Sequence, residues 1–185
     1  MISIISSKKK DHLDQILSVQ QVYLADRLSE EEKKTYGFLT CAYSTEMLTE
    51  MSKGYEHIIA LDNQKVVGYA LVMLKEYKSS NPVVQMMFSR IKDSFWRNRS
   101  LSNQSFYTIG QICVDRPYGG QGIFQKLYFK HREVMSPHFD YCITEISGTN
   151  ARSMRAHLRV GFQVLKTYKD DHDQPWNLVI WDWSD

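Results

Sequence analysis

The chain has 185 residues, 43% hydrophobic and 24% charged, which suits a single globular domain, 1–185, able to bury one sizeable core. A net charge of +2 is too small to imply a general attraction to nucleic acid or to an acidic membrane surface. Cys41, Cys113 and Cys142 are scattered without metal-type spacing, which suits a reducing cytoplasm. No apolar run reaches the length of a membrane span, and the first ten residues, apolar ahead of their lysines, do not read as a secretory signal.

Residues 2–6 read as a short strand. Beyond the solvated turn Lys8-Lys9-Lys10, a helix is predicted from Leu13, Ile16, Leu17, Val19, Gln20 and Tyr23 at amphipathic spacing. Ser29 ahead of Glu30-Glu31-Glu32 predicts a capped helix with an acidic first turn, ended by Gly37. Ser44-Thr45-Glu46-Met47 is a further cap signal ahead of Leu48 and Met51. Segments 57–61 and 66–74, joined by a polar turn at 62–65, predict a hairpin with a bulge at Gly68. Next, Val83, Val84, Met87, Phe88, Ile91, Phe95 and Trp96 form one apolar helical stripe beside Arg90, Lys92, Arg97 and Arg99. A helical insertion at about 76–104 follows from it, packed on the core or forming half of a homodimer contact, with a substrate lid as the sharper alternative.

The stretch 107–128, YTIGQICVDRPYGGQGIFQKLY, changes period in its middle. Ile109, Ile112 and Val114 are strand formers stopped by Asp115-Arg116-Pro117, and from Gly122 onward Ile123, Phe124, Leu127 and Tyr128 fall mostly at helical spacing. In the turn Gly119-Gly120-Gln121-Gly122, missing Cβ atoms let backbone N–H groups converge on an anion at a helix N-terminus. A Walker loop is excluded because Gly122-Ile123-Phe124 supplies neither the lysine nor the hydroxyl, and a dinucleotide fingerprint is poorly met because Gln125 stands where its third glycine belongs. Further on, 141–146 reads as a strand. Asn150 then caps a helix that turns Met154, Leu158 and Val160 inward and ends at Gly161, a residue suited to αL, before Phe162 opens the next strand. A strand at 162–168, a polar turn and a strand at 177–183 finish the chain. The cluster Asp170-Asp171-His172-Asp173 reads as a solvated hairpin tip, because its spacing matches no calcium loop.

Two of these segments together resemble the GCN5-related N-acetyltransferase (GNAT) family. One is the frame from Val114 through Pro117 into Gly119-Gly120-Gln121-Gly122-Ile123-Phe124, similar to the family's pyrophosphate loop, although Gly119 stands where Arg or Gln is usual and Phe124 where a small residue is usual. The other is Asn150 to Gly161-Phe162, similar to the family's helix that opens on Asn and closes in Gly-Phe. The resemblance implies an α/β fold: a single-domain mixed sheet with helices on both faces and splayed central parallel strands.

The resemblance also implies acetyl-CoA as co-substrate, no metal, and direct transfer of the acetyl group to a primary amine of a small molecule or protein. Backbone groups at Ile112, Cys113 and Val114 would pair with the pantetheine arm. Gly119, Gly120, Gln121, Gly122, Ile123 and Phe124 would hold the pyrophosphate, and Asn150 with Ser153 would contact the pantetheine side. Phe38, Leu39 and Tyr43 would border the acceptor site or simply pack. For proton transfer, His157 stands where relatives carry a Tyr acid, Gln111 stands where they often carry a Glu, and Glu145 is a lone carboxylate in an apolar strand. A different reading is an acyl-CoA-binding module with little or no catalysis, in which the departures at Gly119, Gln111, Phe124 and His157 reflect lost chemistry.

Overall fold

The computed structural model of the protein describes residues 1–77 and 81–184. Its centre is a seven-stranded sheet in the order β1-β2-β3-β6-β7-β9-β8, with β1 at Ile2–Ser7, β2 at His57–Asp62, β3 at Lys65–Met73, β6 at Phe106–Val114, β7 at Tyr141–Ser147, β8 at Gln163–Lys169 and β9 at Pro175–Asp182. Only β6 and β7 run parallel; the other neighbours are antiparallel. The fold is a mixed α/β single layer of strands covered on both faces.

One face is covered by α1 (Lys10–Tyr23), α3 (Thr45–Met51) and α4 (Pro82–Lys92). Leu13 and Ile16 of α1, Leu48 of α3 and Ile91 of α4 share one apolar cluster with Tyr69, Leu71 and Ile143 of the sheet. The other face is covered by α5 (Ile123–Met135) and α6 (Ala151–Val160), through Leu127, Tyr128, Met135 and Val160. Each fully buried aliphatic or aromatic side chain of this kind contributes about 1.5–3 kcal/mol from apolar transfer, so the two faces together hold the sheet.

The cap signals act as the sequence predicts. Ser29 accepts from the Glu32 amide while the Glu32 carboxylate accepts from the Ser29 amide, a complete capping box at the start of α2 (Glu30–Tyr36), and Ser44 caps α3. Asn150 Oδ1 accepts from the Ser153 amide at the start of α6. Gly161 follows α6 with φ 122° and ψ 5°, positive but outside the αL well expected there. The bulge expected at Gly68 sits at its neighbour: Ala60 pairs with Gly68 and Leu61 with Val66, leaving Val67 as the extra residue.

The insertion differs from the sequence expectation in its second half. Val84, Met87 and Ile91 of α4 are buried, but the helix ends at Lys92, and Phe95-Trp96 (β4) pairs with Arg99-Ser100 (β5) as a two-strand ladder. Arg97 and Asn98 turn with φ 47° and 66°, a conformation in which helix cannot continue, so Phe95 and Trp96 leave the apolar stripe and Phe95 is exposed. Residues 78–80 of the insertion lie outside the described residues. The Asp170–Asp173 cluster is a hairpin tip in which Asp170 accepts from the amides of His172 and Gln174 and from the Trp176 indole. No metal-binding group of His, Cys, Asp or Glu is found among the described residues, and no helix there is long and apolar enough to cross a membrane.

Candidate active site

The parallel pair β6–β7 stays together only at Phe106, Tyr107 and Thr108, opposite Tyr141, Cys142 and Ile143. Beyond that point the two strands part, tied once more by the Thr144 hydroxyl donating to the Ile109 carbonyl at 2.9 Å. The parting coincides with a second bulge. Leu71 pairs with Gln111 and Val72 with Ile109, so Gly110 is the extra residue of β6. A Cβ on Gly110 would come within 2.8 Å of Met73 Cε and 2.9 Å of Met51 Cε, so a larger residue would have to push both aside. A bulge bends its strand and shifts side-chain alternation by one.

A cleft of ≈ 690 Å³ opens beside the parted strand. Ile112, Cys113 and Val114 form one wall; beyond Thr108 no residue of β6 pairs with β7, so this wall offers a strand edge to which an extended ligand can add. At its end the glycine turn leads into α5. Gly120 (φ 77°) and Gly122 (φ 73°) both adopt left-handed backbone, and a Cβ on either would meet nothing within 4 Å. Glycine is therefore required there by conformation, while the surrounding space stays open to a ligand. Gly122 is the N-cap of α5 and has no side-chain bond to give, so the first amides of the helix face the cleft unpaired by a cap. The bulky Phe124 fits because its ring turns inward, edge-on to Tyr128 and His157.

The opposite wall is built from Asn150, Ser153 and Ala156, with Tyr36, Gly37, Phe38 and Leu39 closing over it. Asn150 Nδ2 donates to the Phe38 carbonyl at 2.9 Å and Arg152 donates to the Thr35 carbonyl at 3.0 Å, so the chain after α2 is strapped to the start of α6. Gly37 (φ 77°) permits this close approach: a Cβ on it would lie 3.0 Å from Asn150 Oδ1. Tyr23 lies between the glycine turn and the strand end; its hydroxyl donates to Asp115 at 2.6 Å and accepts from the Arg116 amide at 2.8 Å. Burial, then the Asp115 bond, pushes its phenol pKa up, so it stays protonated.

Across the same gap, on the α1 side of the sheet, lies a second and much smaller space of ≈ 30 Å³. The two spaces adjoin along two segments: the large cleft takes 37–39 and 112–114, the small one Thr40, Cys41, Tyr43, Ile109 and Gly110. Glu145 faces the small space. Burial pushes its carboxyl up to about 7, with the Tyr168 hydroxyl bond and the Arg90 charge pulling the other way. A carboxyl poised near neutrality beside the gap can accept a proton at ordinary pH.

No protein-family model and no curated protein matches the chain. Solved structures do. A GNAT-family acetyltransferase from Streptococcus agalactiae is 14% identical with a TM-score of 0.67, over 98% of this chain and 95% of that one. The ribosomal-protein-S18-alanine N-acetyltransferase of Escherichia coli is 14% identical with a TM-score of 0.65, over 100% of this chain and 96% of that one. The chain has the GNAT acetyltransferase fold. The yncA protein of Salmonella typhimurium, a structure with its cofactor acetyl-CoA, matches at a TM-score of 0.63 and 14% identity over 98% of this chain and 94% of that one.

On this GNAT fold the residues named from the sequence for the cofactor fall together: Ile112, Cys113, Val114, Gly119, Gly120, Gly122, Ile123, Phe124, Asn150 and Ser153 all line the large cleft, and Gln121 is exposed on the turn between them. The three residues named for proton transfer separate. Glu145 faces the small space. Gln111 points to the α1 side, where its Nε2 donates to the Cys41 carbonyl at 2.7 Å and its Oε1 accepts from Gln20 and Tyr69 at 3.0 and 2.7 Å. Its amide is thus committed to holding residue 41 in place, with Gln20 holding the Tyr43 amide at 2.9 Å.

His157 lies on α6 between the lining residues Ala156 and Arg159 without lining the cleft itself, and is 2% exposed. Its Nδ1 faces the Ser153 carbonyl at 2.8 Å; a carbonyl only accepts, so Nδ1 carries the proton, and Nε2 accepts from the Tyr128 hydroxyl at 2.6 Å. Burial lowers its pKa to about 4, so the ring is neutral with both nitrogens engaged. The sequence reading missed Tyr23, Tyr36, Arg116, Arg152, Arg155 and Arg159, all of which line the cleft. The three α6 arginines share a face through their spacing of three and four, a signal present in the sequence beside the Asn150 cap.

Proposed function

We propose that the protein transfers the acetyl group of acetyl-CoA directly to a primary amine. The observation that carries this reading is the continuity of one cleft. An unpaired edge of β6 leads without interruption to a glycine turn whose open, left-handed positions present helix N-terminal amides, which matches an extended pantetheine ending in a pyrophosphate. Arg116, Arg152, Arg155 and Arg159 supply positive charge around that end for the remaining phosphate.

The reaction forms a C–N bond and breaks a C–S bond. The amine nitrogen attacks the thioester carbon, backbone N–H groups of the parted strand stabilise the developing oxyanion, and the nitrogen's surplus proton passes to Glu145, directly or through water. The CoA sulfur leaves as a thiolate, which an ordinary thiol pKa of about 8.5 permits near neutrality. In this scheme His157 and Gln111 are positioning residues: the first supports Tyr128 and Phe124 behind the pyrophosphate turn, the second fixes the wall at Cys41. The small-molecule or protein acceptor, and the cytoplasmic setting, belong to this proposal.

A second reading, a CoA-binding module with little or no catalysis, is favoured by one observation: neither Gln111 nor His157 faces the cleft. Calorimetric titration with CoA and release of free CoA thiol from acetyl-CoA over a panel of primary amines separate the two. Binding with amine-dependent release supports transfer. Binding without release from any amine supports the module, and absence of CoA binding overturns both.

A further inference from the structure

We propose that Tyr168 is a positioning residue for proton transfer: from β8 it holds one oxygen of the Glu145 carboxylate and leaves the other for the acceptor's proton, while Arg90 of α4 clamps its ring from behind. The inference rests on the acetyl-transfer reading and adds two residues to that same site. The register of the sheet brings the pair together. Glu145 of β7 lies opposite Leu178 of β9, and Tyr168 of β8 lies opposite Trp176. Residues opposite each other across a ladder share a face, as do alternate residues of one strand, so Glu145, Leu178, Trp176 and Tyr168 all turn to the α4 side, where Leu178 packs. A bulge puts Tyr168 there. Val164 pairs with Val179 and Lys166 with Leu178, so Leu165 is the extra residue of β8; without it Thr167 would stand opposite Trp176 and Tyr168 would face the other side.

The Tyr168 hydroxyl donates to Glu145 Oε1. No second hydrogen bond reaches the carboxylate among the described residues, so Oε2 stays available towards the ≈ 30 Å³ space that Glu145 lines, which has room for about one or two waters. On the far side of the phenol, the Arg90 guanidinium lies 3.7 Å from the ring centroid, on a helix held down by the buried Val84, Met87 and Ile91. No carboxylate pairs with Arg90 among the described residues, and its Nη1 is buried without a hydrogen-bond partner. Such a group is rare in a folded protein. The stack accounts for it: a cation over the ring face leaves the in-plane hydroxyl free to donate, and its unpaired charge favours the ionised form of Glu145.

The other titratable and charged groups described around Glu145 leave this arrangement undisturbed. Asp170, whose charge opposes ionisation of Glu145, accepts from the His172 and Gln174 amides and from the Trp176 indole. The Cys41 thiol and the Tyr43 hydroxyl stay protonated through burial. Lys166, on the same face as Tyr168, is exposed to solvent. Burial also keeps the Tyr168 phenol protonated, as does its bond to Glu145, so it remains a donor throughout the pH range of turnover.

The test follows the Glu145 carboxyl carbon by NMR in protein carrying isotope-labelled glutamate, its resonance identified by its loss in Glu145→Gln. The parent should titrate at about 7. Tyr168→Phe, which keeps a ring under Arg90, should move that midpoint up by about one pH unit, because the ionised carboxylate loses its donor. Arg90→Gln should move it the same way by about half a unit. Release of CoA thiol is then compared between variant and parent at each pH, with whichever primary amine the parent acetylates fastest, so that the acceptor's own ionisation cancels. For Tyr168→Phe the ratio should fall to about one tenth on the acid side of the parent's midpoint and return towards parity above the shifted one. A ratio that stays flat across pH marks a merely structural residue and overturns the proposal, as does an unmoved midpoint in Tyr168→Phe; both leave acetyl transfer standing. An unmoved midpoint in Arg90→Gln overturns the clamp. Absence of turnover with every amine overturns acetyl transfer, and the role in proton transfer with it, even where the midpoint moves as expected.

Discussion

Glu145→Gln should make the protein more stable at alkaline pH and slower at acetyl transfer. The carboxyl titrates near 4.5 in an ordinary setting and about 7 here, because burial disfavours its charged form. A folded-state pKa raised above the unfolded value means that Glu145 costs nothing below about pH 4.5, where both states are protonated, and progressively destabilises the fold as pH rises through about 7. The shift of roughly 2.5 units, at 1.36 kcal/mol per unit, corresponds to about 3 kcal/mol at full ionisation. Glutamine removes that penalty while its carbonyl still accepts the bond from the Tyr168 hydroxyl. Urea denaturation of parent and variant should therefore coincide near pH 4.5 and diverge to about 3 kcal/mol near pH 9, or about 6–12 °C in Tm for a domain of this size. Under the proposed mechanism the same variant loses roughly two orders of magnitude in turnover with CoA affinity unchanged. A stability difference that stays flat across pH would refute the argument from burial, and undiminished turnover would remove Glu145 from proton transfer.

Gly122→Glu places a side chain and a negative charge at φ 73° in the glycine turn, and should abolish measurable CoA binding by calorimetry while the circular dichroism spectrum stays that of the parent. His157→Phe should leave the pH profile of turnover unchanged, since the neutral ring donates nothing to the cleft; it should lower stability by about 1–3 kcal/mol because the buried Tyr128 hydroxyl loses its acceptor. His57 and His131 are held neutral by burial, with pKa values lowered to about 4 and about 3. Depressed folded-state values mean that their full contribution is present above the ordinary histidine pKa of 6.5 and drains away as pH falls from there towards 3. Thermal melts should show Tm dropping through that window, and less steeply in His57→Gln.

Much of the large cleft was legible because its signals are local. Gly120 and Gly122 announce left-handed backbone, Asn150 announces a cap, and the change from strand to helix period across 107–128 places the turn between them. Glu145 was legible for a different reason, since a lone acid in an apolar strand has to be explained. The orientation of Gln111 was not legible. Ile109 packs on the α5 side, and simple alternation would put residue 111 beside it, but the extra residue Gly110 reverses the parity and sends Gln111 to Gln20 on α1. His157 was misread because its partner, the Tyr128 hydroxyl, lies 29 residues away on another helix. Phe95 and Trp96 sit at helical spacing by coincidence, and the turn at Arg97-Asn98 that removes them from α4 carries no glycine to signal it.

The web of Gln20, Gln111 and Tyr69 beside the small space consists of amides and a phenol, and burial keeps the neighbouring Cys41 thiol and Tyr43 hydroxyl protonated. Across the range in which cells vary, none of these groups gains or loses a proton, so neither the shape nor the field of that wall responds to acidity. Against so inert a background Glu145 is the group of that wall whose ionisation shapes the rate near neutrality, and any further inflection at higher pH belongs to the acceptor amine itself.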